Sequence, residues 1–239
     1  MNRVKVLLLL LVVWGASPAQ ADCPPPLEES AAEEEIRAGT LKIVRSPRAE
    51  TAACWVGQGR AAYGRGDWKT AYRAFSQALR WRQDAVDAWL GLAAAALKLG
   101  RWDVADRGYR QALVLRPGEL LALAGLAVLH PQDEPLLAAL EQSASERNDT
   151  AWLYAVLGDL YARRNDWPRA QQAYFHAHRI DLTHPDYSYD LAVSLDHLGQ
   201  YRLARRFYTE ALQSARRRKA AFDPEVAVRR LRQLEEAAR

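Results

Sequence analysis

The sequence predicts an all-α chain built of repeated antiparallel helix pairs. Three observations carry that reading. The stretch "GDWKTAYRAFSQAL", Gly66 to Leu79, returns thirty-four residues later as "GRWDVADRGYRQAL". Two more copies, "NDWPRAQQAYFHAH" from Asn165 and "GQYRLARRFYTEAL" from Gly199, are again thirty-four residues apart. In every copy an Ala, an aromatic and an Ala recur at i, i+4 and i+7, one stripe of a helix. A fixed period of this size marks a helix–turn–helix array, whose units cannot bury an apolar face alone and so stack.

The chain opens differently. Arg3 and Lys5 precede an apolar run from Val6 to Ala16, and Ala19-Gln20-Ala21 follows as a small-x-small cleavage signal. Residues 1–21 therefore predict a signal peptide, cut after Ala21, and an exported, periplasmic protein. A lipoprotein would want a small residue before Cys23, where Asp22 stands, and the run is short for a retained anchor. Residues 22–50 have no sustained period. Pro24-Pro25-Pro26 and the acidic stretch Glu28 to Glu35 predict a flexible tail. Cys23 and Cys54 are the two cysteines. In an oxidising compartment they could form a disulfide; the other reading is a tail thiol and a core-facing helical cysteine.

The repeats are expected near 52–85, 86–119, 120–150, 151–184 and 185–218. Each second helix carries the stripe: Ala71, Phe75, Ala78; Ala105, Tyr109, Ala112; Ala170, Tyr174, Ala177; Ala204, Tyr208, Ala211. The first helices lie upstream and offer an apolar residue followed by a small one: Trp55 and Gly59; Trp89, Leu92 and Ala93; Tyr154, Leu157 and Gly158; Leu191 and Ala192. Gly66, Gly100, Asn165 and Gly199 occupy the turns, where a left-handed residue is needed. Trp68, Trp102, Trp167 and Tyr201 recur two residues on and are expected to pack. The middle unit is shortened. Pro131 stops its first helix, Asp133-Glu134-Pro135 opens its second, and Leu136, Leu137, Leu140 and Ala144 give that helix a face. Residues 219–239 are expected to form a capping helix from Asp223-Pro224-Glu225, with Val226, Leu231 and Leu234 near one side.

The stretch "TAWLYAVLGDLYARRNDWPRAQQAYFHA" resembles the tetratricopeptide repeat (TPR). Tyr154 takes the family's Trp place, Leu157, Gly158 and Tyr161 follow it, and Pro117 stands where the family ends a repeat. The resemblance implies a right-handed superhelical TPR solenoid with a concave groove that binds a peptide segment or protein partner. It implies that contacts come from five positions of each first helix. Here those are Arg60, Tyr63, Asp87, Lys98, Trp152, Asp159, Arg163, Asp186, Tyr189, Asp196 and His197. Val56 and Leu90 stand where a clamp for a peptide C-terminus would need Lys or Asn. An extended or helical segment is the expected ligand instead. "PDYSYDLAVSLDHLGQYRLARRFYTEALQ" is similar to the last repeats of type IV (mannose-sensitive haemagglutinin) pilus biogenesis accessory proteins. That family is expected to carry an inner-membrane helix and a Pro-rich spacer, which this chain replaces with its signal sequence.

No catalytic pattern stands out. There is no Gly-rich phosphate loop, no G-x-S-x-G and no H-E-x-x-H. His176 and His178 are two apart on a helix and diverge; His184 and His197 read as surface residues. Asp186, Asp190 and Asp196 read as a solvated acidic face. No enzyme activity, cofactor or metal is expected. The formal net charge of +4 falls to +2 without Arg3 and Lys5, too balanced to indicate a nucleic-acid partner. Charge is nonetheless segregated: acidic at Glu28 to Glu35, basic at Arg202 to Arg206, Arg216 to Lys219 and Arg229 to Arg232. The basic end could meet a membrane surface or an acidic protein face. The expectation is an exported, non-enzymatic scaffold in assembly of an envelope machine, a type IV pilus or a secretion system. The alternative is a periplasmic coordinator of cell-wall synthesis or outer-membrane assembly.

Overall fold

The computed structural model describes Cys23, residues 47–147 and residues 150–236. Among these residues all regular structure is helical. They form two compact units that divide between Glu119 and Leu120. The first unit holds α1 (Pro47–Gly64), α2 (Trp68–Trp81), α3 (Val86–Lys98) and α4 (Trp102–Leu115). The second holds α5 (Leu120–Leu129), α6 (Glu134–Glu146), α7 (Ala151–Arg163), α8 (Trp167–Ile180), α9 (Pro185–His197), α10 (Tyr201–Ala215) and α11 (Pro224–Glu236). Within each unit every helix packs on its sequence neighbour; α1 also reaches α3, and α5 reaches α7.

The expected signal peptide and most of the expected tail lie outside the described residues. Helix α1 starts at Pro47, within the stretch read as tail, so the helical array begins a few residues earlier than the repeat pattern indicates. Cys23 is disulfide-bonded to Cys54 on that helix.

The turns inside the repeats share one construction. Gly66, Gly100 and Gly199 have φ of 81°, 73° and 72°, and Asn165 has 60°. In each, the next amide bonds back five residues: Asp67 N to Ala62 O at 3.0 Å, and Arg101, Asp166 and Gln200 to Ala96, Tyr161 and Leu195, each at 2.9 Å. This is the 6→1 closure that lets a helix end in a left-handed residue. Asp67, Asp133 and Asp166 then cap α2, α6 and α8 by accepting from the amides of Thr70, Leu136 and Arg169.

Close helix approach follows from the small residues. All twelve members of the Ala–aromatic–Ala stripes are buried. The Phe75 ring lies where a Cβ on Gly91 would be 2.3 Å from it, and one on Gly59 2.8 Å. Tyr174 fills the same place against Gly158, at 2.5 Å. In the shortened unit Leu137, Leu140 and Ala144 are buried in the core of the second unit.

Four packing expectations fail. Trp102 and Tyr201 are 47% and 53% exposed. Among the described residues no cation or ring stacks over the start of α4 or α10 as Lys98 covers Trp68 and His197 covers Trp167. On α11, Val226 is exposed and Ala227 takes its inward place beside Leu234. His184 is buried, stacked on Tyr187 at 4.1 Å.

Candidate partner-binding faces

In the first unit the expected contact residues meet around two features. Arg60 on α1 and Asp87 on α3 form an ion pair at 2.7 Å, with about a third and a half of their side chains exposed (35% and 49%). Tyr63 and Lys98 converge on Trp68. The Tyr63 ring meets it edge-on at 4.8 Å, and the Lys98 ammonium lies 5.3 Å from its centroid. Burial lowers the Lys98 pKa to about 8, so the cation is held in a partly dry place beside an aromatic face. Tyr63 is itself 2% exposed and supports this place from beneath. Its expected role as a direct contact is therefore corrected to a packing role.

In the second unit the residues divide sharply. Trp152 is half-buried over Ala155, Ala177 and Tyr187 and keeps an open edge. Asp159 accepts from the Tyr174 hydroxyl at 2.5 Å. The Arg163 guanidinium makes one long bond, 3.5 Å, to the Val128 carbonyl. His197 stacks flat on Trp167, 3.5 Å between centroids and 5° between planes.

Asp186, Tyr189 and Asp196 are already occupied by the chain's own C-terminal segment. Asp186 accepts from the amides of Ala221 and Phe222 at 2.8 and 3.1 Å. Tyr189 is buried under Phe222, stacked at 4.3 Å. Asp196 takes a two-pronged bond from Arg230 of α11, at 2.6 and 2.7 Å, and a third from the Tyr208 hydroxyl at 3.2 Å. The solvated acidic face expected of Asp186, Asp190 and Asp196 is thus a docking surface for the cap, and Asp190 is buried. The physical reason is that residues 216–230 supply the partners that the first helix of a following repeat would.

Sequence reading also missed a buried polar seam. Ser188 donates to Glu210 at 3.1 Å and lies 3.3 Å from His178 Nδ1, while His178 Nε2 is 3.3 Å from the same carboxylate oxygen. The residue types are those of a hydrolytic triad. The serine, however, is fully buried and gives its proton to the carboxylate. The seam fastens α8, α9 and α10 together. No local spacing signals it, since its three members come from three helices. Among the described residues no group of three or more His, Cys, Asp or Glu could hold a metal, and no helix is long and apolar enough to cross a membrane.

Comparison with known proteins agrees with this architecture. A tetratricopeptide repeat family model matches residues 62–126. The chain carries tetratricopeptide repeats over residues 62–126. A thermophilic TPR protein of Thermus thermophilus shares 20% identity over 77% of this chain and 98% of that one, with a TM-score of 0.63. PilF of Pseudomonas aeruginosa is similar over 80% of this chain and 87% of its own, at 19% identity and a TM-score of 0.65. YrrB, described as a TPR protein with an unusual peptide-binding site, matches over 77% of this chain and 89% of its own, at 14% identity and a TM-score of 0.52. At these identities the likeness is one of fold. No curated protein matches this chain in sequence. The fold, made of helix pairs, is consistent with a scaffold for protein interaction.

Proposed function

We propose that this TPR protein is an exported, non-enzymatic scaffold that holds a peptide segment or protein partner during assembly of a bacterial envelope machine, a type IV pilus or secretion system. The observation that carries the binding role is the set of side chains left open on the first helices. These are the Arg60–Asp87 pair and Lys98 in one unit, and Trp152, Arg163 and His197 in the other. Aromatics and arginines are the residue types that most often anchor interfaces, and both signs of charge are present, in Arg60, Lys98 and Arg163 and in Asp87. A polar, partly charged segment is the ligand that suits them.

Export is supported by the signal-like residues 1–21 and by the Cys23–Cys54 bond, which suits an oxidising compartment. The pilus assignment is supported by the similarity of the last two repeats to pilus biogenesis proteins and by the shared fold with PilF. The test is affinity purification from the native envelope after mild crosslinking, with bound proteins identified by mass spectrometry. Recovery of pilus or secretion components supports the reading. Recovery of cell-wall enzymes or outer-membrane assembly factors refutes the pilus assignment and leaves the scaffold.

A further inference from the structure

A trench of about 530 Å³ runs between α10 and α11. Its walls carry Arg202, Arg205 and Arg206 from α10, with Leu231 from α11. Two acids also line it, and both are engaged. Glu210 is turned to Ser188 and His178, and Glu235 lies 4.0 Å from Arg205. Arg202 meets no carboxylate among the described residues, and Arg206 has only the ring of its neighbour Phe207, 5.7 Å away.

The equivalent helix of the second repeat shows what is unusual. On α4 the places of Arg202 and Arg205 are held by Asp103 and Asp106, which neutralise Arg107 and Arg110 at 3.2 and 2.7 Å. On α10 arginine stands in both places. The helix face has two cations where its counterpart has two counter-charges. Like charges one turn apart repel, so this face is stabilised by anions brought from outside.

The sequence holds one stretch with that chemistry. Glu28, Glu29, Glu33, Glu34 and Glu35 place five carboxylates in eight positions. We propose that the trench between α10 and α11 receives the acidic segment Glu28–Glu35 of a second copy of this chain. Guanidinium–carboxylate pairs at the trench walls supply the attraction, and the apolar Leu231 side chain receives the flanking Leu27 or Ile36 side chain. Donor and receptor surfaces differ, so the contact is heterologous. It passes from copy to copy unless geometry closes it into a ring.

The experiment uses protein purified after expression of the full chain, studied by light scattering over a range of concentrations. The expected result is concentration-dependent association that falls away at about 1 M salt, where the screening length shrinks to about 3 Å. Arg202→Glu with Arg206→Glu should weaken association about ten-fold or more, and so should Glu33→Lys with Glu34→Lys and Glu35→Lys. The substituted arginines are exposed, and unchanged helicity will confirm folding. Mixing the two charge-reversed proteins should restore hetero-association. The acidic segment of the first then meets the basic trench of the second, and the reversed segment of the second meets the reversed trench of the first. A monomer at every concentration overturns the proposal. So does association indifferent to both sets of substitutions, crosslinking of the segment within its own chain, or binding of the trench to anionic vesicles without self-association.

Discussion

Three tyrosines at the same place in three repeats should respond in opposite senses to loss of one oxygen. Tyr174 and Tyr208 donate to Asp159 and Asp196, at 2.5 and 3.2 Å. Tyr109 is 1% exposed, and its hydroxyl makes no hydrogen bond among the described residues. The residues of α3 that stand at the places of Asp159 and Asp196 are Ala94 and Leu97. A hydrogen bond to a charged acceptor contributes roughly 1.5–3 kcal/mol. Asp159 keeps partial access to water, so Tyr174→Phe should cost about 1–2 kcal/mol. Tyr109→Phe removes a polar group that was dehydrated without compensation. It should be neutral or stabilise by about 1 kcal/mol. Urea denaturation followed by circular dichroism reads both, with the midpoint shift separated from any change in slope. If Tyr109→Phe destabilises as much as Tyr174→Phe, the account of the orphaned hydroxyl is wrong.

Other expectations can be checked in the same preparations. Gly57 faces open space, so Gly57→Ala should stabilise α1 by up to about 1 kcal/mol, whereas Gly91→Ala drives a Cβ into Phe75 and should cost about 1–3 kcal/mol; thermal melts of both give opposite signs. Asp196→Asn weakens the pairing with Arg230, whose side chain is 40% exposed, and should cost about 1–2 kcal/mol. Hydrogen exchange should speed up across residues 218–236 and little elsewhere. His184 has its pKa lowered by burial and then by Arg218, against the pull of Asp186 and Asp181. A depressed histidine favours the neutral folded state, so its contribution is full above the ordinary histidine pKa. It declines as pH drops below that value toward the lowered one. His184→Gln should flatten the loss of stability between about pH 7 and 5, read from denaturation midpoints across that range. Opening the bond between Cys23 and Cys54, thirty-one residues apart, should cost the first unit about 2–4 kcal/mol; a denaturation midpoint indifferent to reductant contradicts that.

The repeating skeleton was legible because packing speaks through local periodicity. The stripe at Ala71, Phe75 and Ala78 announces a helix and its partner, and Gly66 announces the turn. The shortened unit was legible too, since Pro131 and Asp133 act on their own neighbours. What escaped depended on partners distant in sequence. Asp186, Tyr189 and Asp196 occupy positions that serve ligands in the family, but Asp186 bonds to Phe222, Tyr189 lies under it, and Asp196 bonds to Arg230, each more than thirty residues on. His184 sits at a helix start and looks exposed; in the fold it is buried, stacked on Tyr187 with the Arg218 charge nearby. The arginine trench did leave a trace: Asp103 and Asp106 of one repeat become Arg202 and Arg205 of another. Repeats aligned by their apolar stripes show this reversal of sign at once, whereas the stripes themselves are silent about charge.

The way the C-terminal segment lies over the last repeat has a consequence for affinity. Residues 220–230 are joined to α10 by a short connection, so they act as a tethered competitor for Asp186, Tyr189 and Asp196. Short tethers give effective concentrations in the millimolar range. A free ligand of equal intrinsic strength, present at micromolar levels, would lose that contest about a thousandfold. Cutting the chain between Lys219 and Ala220 would abolish the competitor's advantage without touching Asp186, Tyr189 or Asp196, and would turn a closed face into a receptive one.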